Sequence, residues 1–85
     1  MILNYLKQIG EQNGYCLSYK NIDDANKIIE NLKVKTKDLL ENYVSSHISY
    51  DHRIMLSDED GYYDMIAKDL NDFIGDTVLN ITKIQ

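Results

Sequence analysis

From Ala25 to Tyr43 the apolar residues return at steps of three and four: Ala25, Ile28, Ile29, Leu32, Thr36, Leu39, Leu40 and Tyr43. At about 100° per residue they fall within a band roughly 120° wide, the pattern of a helix with one buried side. Only Val34 lies on the far side. Asp23 or Asp24 is placed to cap the start, and both acids suit the positive end of the helix dipole. The spacing predicts a helix running to about Ser46, where Ser45-Ser46 weakens it. A chain of 85 residues buries only about 60 % of its unfolded surface, so this helix must share a thin core with very few other elements.

Two further segments read as helices. Residues 2–13 carry Ile2, Leu3, Leu6 and Ile9 on one stripe, with Asn13-Gly14 placed to end it in a left-handed cap. The third begins at Ser57, a good N-cap followed by Asp58, Glu59 and Asp60 in the first turn. Tyr62, Ile66, Leu70, Phe73, Thr77, Ile81 and Ile84 continue its period toward the end of the chain. Gly75 interrupts that pattern at a cost of about 1 kcal/mol relative to Ala, which is a reason for the helix to stop there. The expected fold is mainly α, a small three-helix domain spanning residues 1–85 as one unit. The alternative is α+β with a short antiparallel sheet. Tyr15, Leu17 and Tyr19 alternate at period two, as do Ile48, Tyr50, Ile54 and Leu56, and Thr77–Thr82 has strand-like composition after a Gly75-Asp76 turn. Asp60-Gly61 is a further turn candidate.

Met1 suggests a complete small protein, and the residues after it lack the basic start and apolar run of a secretory signal. No stretch of about 18 apolar residues is present to span a membrane. Cys16 is the only cysteine, which excludes an internal disulfide and fits a reducing compartment, so a cytoplasmic location is expected. Beside Tyr15 and Leu17, it reads as a small buried hydrophobe. Asn80-Ile81-Thr82 matches a glycosylation acceptor, but without an export signal the match reads as chance.

Charge is unevenly placed. Residues 1–50 carry six acids and six bases, while residues 51–85 carry eight acids against Arg53, Lys68 and Lys83. The net charge of −5 therefore lies wholly in the last 35 residues. On a continuous helix Asp58, Asp69, Asp72 and Asp76 project onto one flank, and Asp60 and Asp64 onto the other. Asp69, Asp72 and Asp76 follow the i, i+3, i+7 rule, about 5–6 Å apart in succession. The helix dipole accounts for the acids at residues 58–60, whereas like charges a turn apart cost a helix a few tenths of a kcal/mol and call for another cause. A row of this kind presents charge much as a phosphate backbone does and attracts a basic groove through long-range steering. Among the tyrosines Tyr63 is the better interface candidate, because Tyr62 follows the core stripe more closely.

Other chemistries fare worse. With Gly61 at the sixth position of a calcium loop, the first is Leu56 and the twelfth Ala67, which rules the loop out. His47, Asp51 and His52 are too few and face too differently for a zinc site, so no metal or cofactor is expected. Nothing flanks Cys16 to mark it as a nucleophile, and no enzyme is expected. Lys33 and Lys37 share a flank that Lys35 faces away from, and a pI near 4.7 opposes direct nucleic-acid binding.

In length and acidity the chain resembles small phage-encoded inhibitors of host defence, anti-CRISPR and DNA-mimic proteins among them, a resemblance of composition alone. The expected function is that of a stoichiometric binding protein whose partner is a larger protein with a basic surface, with Asp69, Asp72, Asp76, Tyr63, Asp60 and Asp64 in the interface. The alternatives are a homo-oligomeric structural or assembly module, here a homodimer burying the long C-terminal apolar stripe, and an immunity or antitoxin protein acting by the same physics.

Overall fold

The first helix forms where the N-terminal stripe predicts it. In the computed structural model, which describes residues 2–55, 61–74 and 78–84, α1 spans Ile2–Gln12 and buries Leu3, Leu6, Ile9 and Gly10. It ends as the Asn13-Gly14 pair dictates: Gly14 takes φ 84°, a left-handed conformation that only glycine adopts at no steric cost, and the Asn13 side chain donates to the Ile9 carbonyl at 2.8 Å. The chain reverses directly into a strand, β1 (Tyr15–Tyr19), which turns Tyr15 and Leu17 into the core and leaves Cys16 and Ser18 exposed. Period-two alternation thus puts Cys16 on the outer face, not in the core.

The long second helix is two helices. α2 spans Ile22–Glu30 and α3 spans Val34–Ser46. The break falls at Asn31, the C-cap of α2, whose main-chain N–H and side chain both donate to the Lys27 carbonyl, at 3.1 and 2.8 Å. Leu32 in the connection is itself buried, so the apolar period runs across the break unaltered. At the start, Asn21 is the cap: its Oδ1 accepts from the backbone N–H groups of Asp23 and Asp24 at 2.9 and 3.2 Å. The two aspartates, expected as caps, occupy the first turn instead, where the helix dipole favours them.

The fourth helix, α4, spans Tyr62–Ile74, and the last strand, β2, spans Leu79–Lys83. β2 pairs antiparallel with β1, Leu17 opposite Ile81. Ser57, Asp58, Glu59 and Asp60, expected at the start of the third helix, lie outside the described residues, as do Leu56 and the Gly75-Asp76-Thr77 segment. The domain is mainly helical, with the short antiparallel sheet of the alternative reading. Among the described residues it has four helices, not three, because of the break at Asn31. The helical pattern does not continue through Ile81 and Ile84, since Leu79–Lys83 is a strand. Ile48 and Ile54 form an isolated antiparallel bridge, a fragment of the alternation read between them. No helix among the described residues is long and apolar enough to cross a membrane.

The core is where these pieces meet Tyr63. Its side chain is wholly buried, and its hydroxyl donates to the Leu6 carbonyl in α1 at 2.9 Å. Its ring lies 4.5 Å from that of Tyr15 in β1 and 6.2 Å from that of Tyr43 in α3. One side chain of α4 therefore touches three other elements. Gly10 makes room for it, since a Cβ at that position would overlap the Tyr63 hydroxyl and lie 2.7 Å from Cζ.

Gly→Ala in a helix interior ordinarily gains about 1 kcal/mol. At Gly10 the sign should reverse: Gly10→Ala forces the Tyr63 ring out of place and is expected to cost about 1–3 kcal/mol, read by urea denaturation. A gain in stability would contradict the close approach.

Candidate functional site

The phase of α4 decides what the protein displays. Tyr63, Ile66, Ala67 and Leu70 are buried, and they lie within about 100° of the helix circumference. The next side of the helix carries Tyr62, Met65, Asp69, Asp72 and Phe73, also within about 100°. On it Tyr62, Met65 and Phe73 are 48 %, 43 % and 50 % exposed, and Asp69 and Asp72 are exposed beside them. Over three turns of helix the flank thus sets two carboxylates between large apolar side chains, Tyr62 and Met65 before them and Phe73 after.

The opposite flank is tied to the sheet. Asn71 uses both ends of its amide on one residue of β2: Nδ2 donates to the Ile81 carbonyl at 2.8 Å and Oδ1 accepts from the Ile81 N–H at 3.1 Å. Asp64 accepts a hydrogen bond from the Tyr15 hydroxyl. With Asn71 and Asp64 held by the sheet and Tyr63 held by α1, the helix is fixed against rotation. A shallow groove of about 240 Å³ extends the free flank toward α3, lined by Leu39, Asn42, Tyr43, Ser46 and Tyr62. Leu39 is itself 37 % exposed, so the apolar part of the surface crosses from one helix to the next.

The acidic residues read from the sequence divide accordingly. Asp69 and Asp72 share the exposed flank, one helical turn apart. Asp64 lies on the other flank, bound to Tyr15, and its carboxylate serves the fold. Asp60 and Asp76 lie outside the described residues. Tyr63 requires a correction. It is not an interface residue but the most deeply buried large side chain of α4, because only that phase brings its hydroxyl to the Leu6 carbonyl and Ala67 against the core. Tyr62 and Phe73, assigned to the core stripe, are half exposed. Met65 was not singled out from the sequence, and neither was Gly10, the glycine inside the α1 pattern whose missing Cβ leaves room for Tyr63.

His47, Asp51 and His52 do not converge. The His47 Nδ1 donates to the Tyr43 carbonyl at 2.9 Å, which helps to end α3. His52 sits at φ 61° in the tight loop between Ile48 and Ile54, closed by the Ser49 N–H donating to the Arg53 carbonyl at 2.8 Å. Asp51 and Arg53 are 3.9 Å apart on the exposed side of that loop, where an ion pair contributes little. Tyr50 stands fully in solvent beside them. Among the described residues no group of three His, Cys, Asp or Glu side chains is arranged to hold a metal ion. Comparison with protein-family models, with curated proteins and with solved structures finds no match.

The two neighbouring tyrosines should therefore behave oppositely on truncation. Tyr63→Ala is expected to cost about 3–5 kcal/mol, the range for an aromatic removed from a core, and to unfold much of the population. Tyr62→Ala, half exposed, should cost under about 1.5 kcal/mol. Thermal denaturation of the two variants followed by circular dichroism checks the order, and equal losses would contradict the assigned phase.

Proposed function

We propose that this chain is a stoichiometric binding protein that presents the free flank of α4 to a larger protein carrying a basic surface with an apolar patch. The observation that supports the reading is that Tyr62, Met65 and Phe73, each about half exposed, share one side of one helix with Asp69 and Asp72. A merely solvated acidic face has no need of exposed Met and Phe, and a merely unfinished core has no need of aspartates between them. Aromatic residues and Met are enriched at the centres of interfaces, where they bury apolar area at low entropic cost. Carboxylates at the rim steer a basic partner and set the salt dependence of association.

The mixed character favours a protein surface over strict imitation of nucleic acid, which calls for carboxylates without large apolar groups between them. A partner that normally holds nucleic acid still fits, since such surfaces are basic, and inhibition of such a protein is the activity that follows from occupying it. Immunity or antitoxin action rests on the same contact. The exposed thiol of Cys16 suits a reducing compartment, and the cytoplasm is the location this reading implies. No catalysis is part of it.

The test uses the purified protein as bait at low and moderate salt, beside two variants. Asp69→Asn/Asp72→Asn should weaken capture of the partner most at low salt, because it removes the screened term. Met65→Ala/Phe73→Ala should weaken it at least tenfold at both salt concentrations, about 1.4 kcal/mol or more. Both variants should melt close to the parent. Partners captured equally by all three proteins would contradict the proposal.

A further inference from the structure

We propose that Asn13-Gly14 is a site of spontaneous deamidation that the fold holds closed, so that opening of the α1 terminus is recorded as an irreversible covalent change. Of the eight asparagines in the chain, Asn13 alone is followed by glycine. In such a pair the Gly14 main-chain nitrogen, unshielded by a side chain, loses its proton to base and attacks Cγ of Asn13. A new C–N bond forms, the side-chain amide C–N bond breaks, and the side-chain nitrogen leaves as ammonia. The five-membered imide then takes up one water. Opening at one carbonyl leaves an ordinary aspartate; opening at the other leaves an isoaspartate, whose link to Gly14 runs through the side chain. No oxidant or enzyme is required.

The structure engages each group that this reaction needs. The leaving amide is tied down, since Asn13 Nδ2 donates to the Ile9 carbonyl at 2.8 Å. The nucleophile is occupied as well, the Gly14 N–H donating to the Glu11 carbonyl at 3.4 Å. The main-chain N–H of Asn13 donates to the carbonyls of Ile9 and Gly10, at 3.2 and 3.0 Å, and keeps the residue against the last turn of α1. From the other side the Ile84 N–H donates to the Gly14 carbonyl at 2.7 Å and ties the turn to the end of β2. Attack on Cγ therefore requires the turn to open. The Glu11 contact is the longest of the set, at the outer limit of a hydrogen bond, and helix ends open at far lower free energy than cores.

The product cannot close the turn in the same way. A carboxylate at position 13 has no donor for the Ile9 carbonyl and sets a negative charge against the negative end of α1. An isoaspartate also adds one carbon to the main chain before Gly14, which shifts Gly14 against Ile84 and Tyr15 against Tyr63. Because the contacts of Tyr63 set the phase of α4, the change reaches the exposed flank of that helix. This last step rests on the binding reading above, whereas the chemistry and its effect on stability do not.

Peptide mapping by mass spectrometry tests the proposal on the purified chain, held in mildly alkaline buffer with and without guanidinium chloride. The mass gain of an amide-to-acid exchange should appear first in the peptide that holds Asn13. It should accumulate at least about tenfold faster in denaturant than in the folded protein. Ile84→Pro, at a largely exposed position, removes the N–H that holds the Gly14 carbonyl and should be modified faster than the parent without denaturant. Asn13→Asp, the direct product, should lower the folding equilibrium constant about tenfold, and Asn13→Ala, which loses the bond without gaining the charge, by less. Equal rates in folded and unfolded protein overturn the proposal. So does another asparagine modified first in the folded chain, or an Asn13→Asp variant as stable as the parent. Protein aged in this way should also capture less partner than fresh protein. If it captures as much while Met65→Ala/Phe73→Ala does not, the link to α4 fails and the binding reading stands. If neither ageing nor that variant changes capture, the binding reading fails and the deamidation rates still decide the proposal.

Discussion

The structure depends on one side chain entering the core from α4. Tyr63 of that helix reaches α1, β1 and α3 together, through the Leu6 carbonyl, the Tyr15 ring and the Tyr43 ring. Its hydroxyl finds an acceptor, so a large aromatic can be buried without leaving a polar group unpaired. Gly10 gives up helix propensity in α1 to accommodate it. The exchange is favourable because a buried aromatic contributes about 3–5 kcal/mol against the roughly 1 kcal/mol that a helical glycine costs.

Everything displayed by α4 follows from that insertion. Once Tyr63 faces inward, the 3.6-residue period turns Asn71 and Asp64 to the sheet and leaves Tyr62, Met65, Asp69, Asp72 and Phe73 on the free side. Asn71 adds a second constraint, since its amide satisfies both main-chain groups of Ile81 and closes one edge of the sheet in the act of holding the helix. Packing of the core and presentation of the surface are thus one geometric fact: a helix rich in apolar residues on two sides can bury only one of them.

That double-sidedness is also why the sequence was legible in part. α1 and its Gly14 terminus were plain because a single stripe and a single left-handed residue determine them. The mainly helical fold was plain for the same reason, and the period-two alternation of Tyr15, Leu17 and Tyr19 did mark a strand. The break at Asn31 was not visible, because the buried Leu32 keeps the apolar period intact while the backbone leaves the helix. In α4 the choice between Tyr62 and Tyr63 could not be made from periodicity, since Tyr62, Ile66, Leu70 and Phe73 form as good a stripe as Tyr63, Ile66, Ala67 and Leu70. What separates them is tertiary: a hole at Gly10, an acceptor at Leu6 and the small size of Ala67. Of the acidic residues, Asp69 and Asp72 were placed on one flank by spacing alone, while the bond from Tyr15 to Asp64 joins positions that no local pattern relates.

The most direct test of this account is solvent accessibility along α4, residue by residue. A soluble gadolinium chelate added to the folded protein broadens the NMR signals of exposed side chains and spares buried ones. With Tyr63 in the core, the Tyr62 and Phe73 rings and the Met65 methyl group should broaden strongly and the Tyr63 ring should be unaffected. A protected Tyr62 beside a broadened Tyr63 would mean that the helix is turned the other way, and both the core and the proposed binding flank would have to be redrawn.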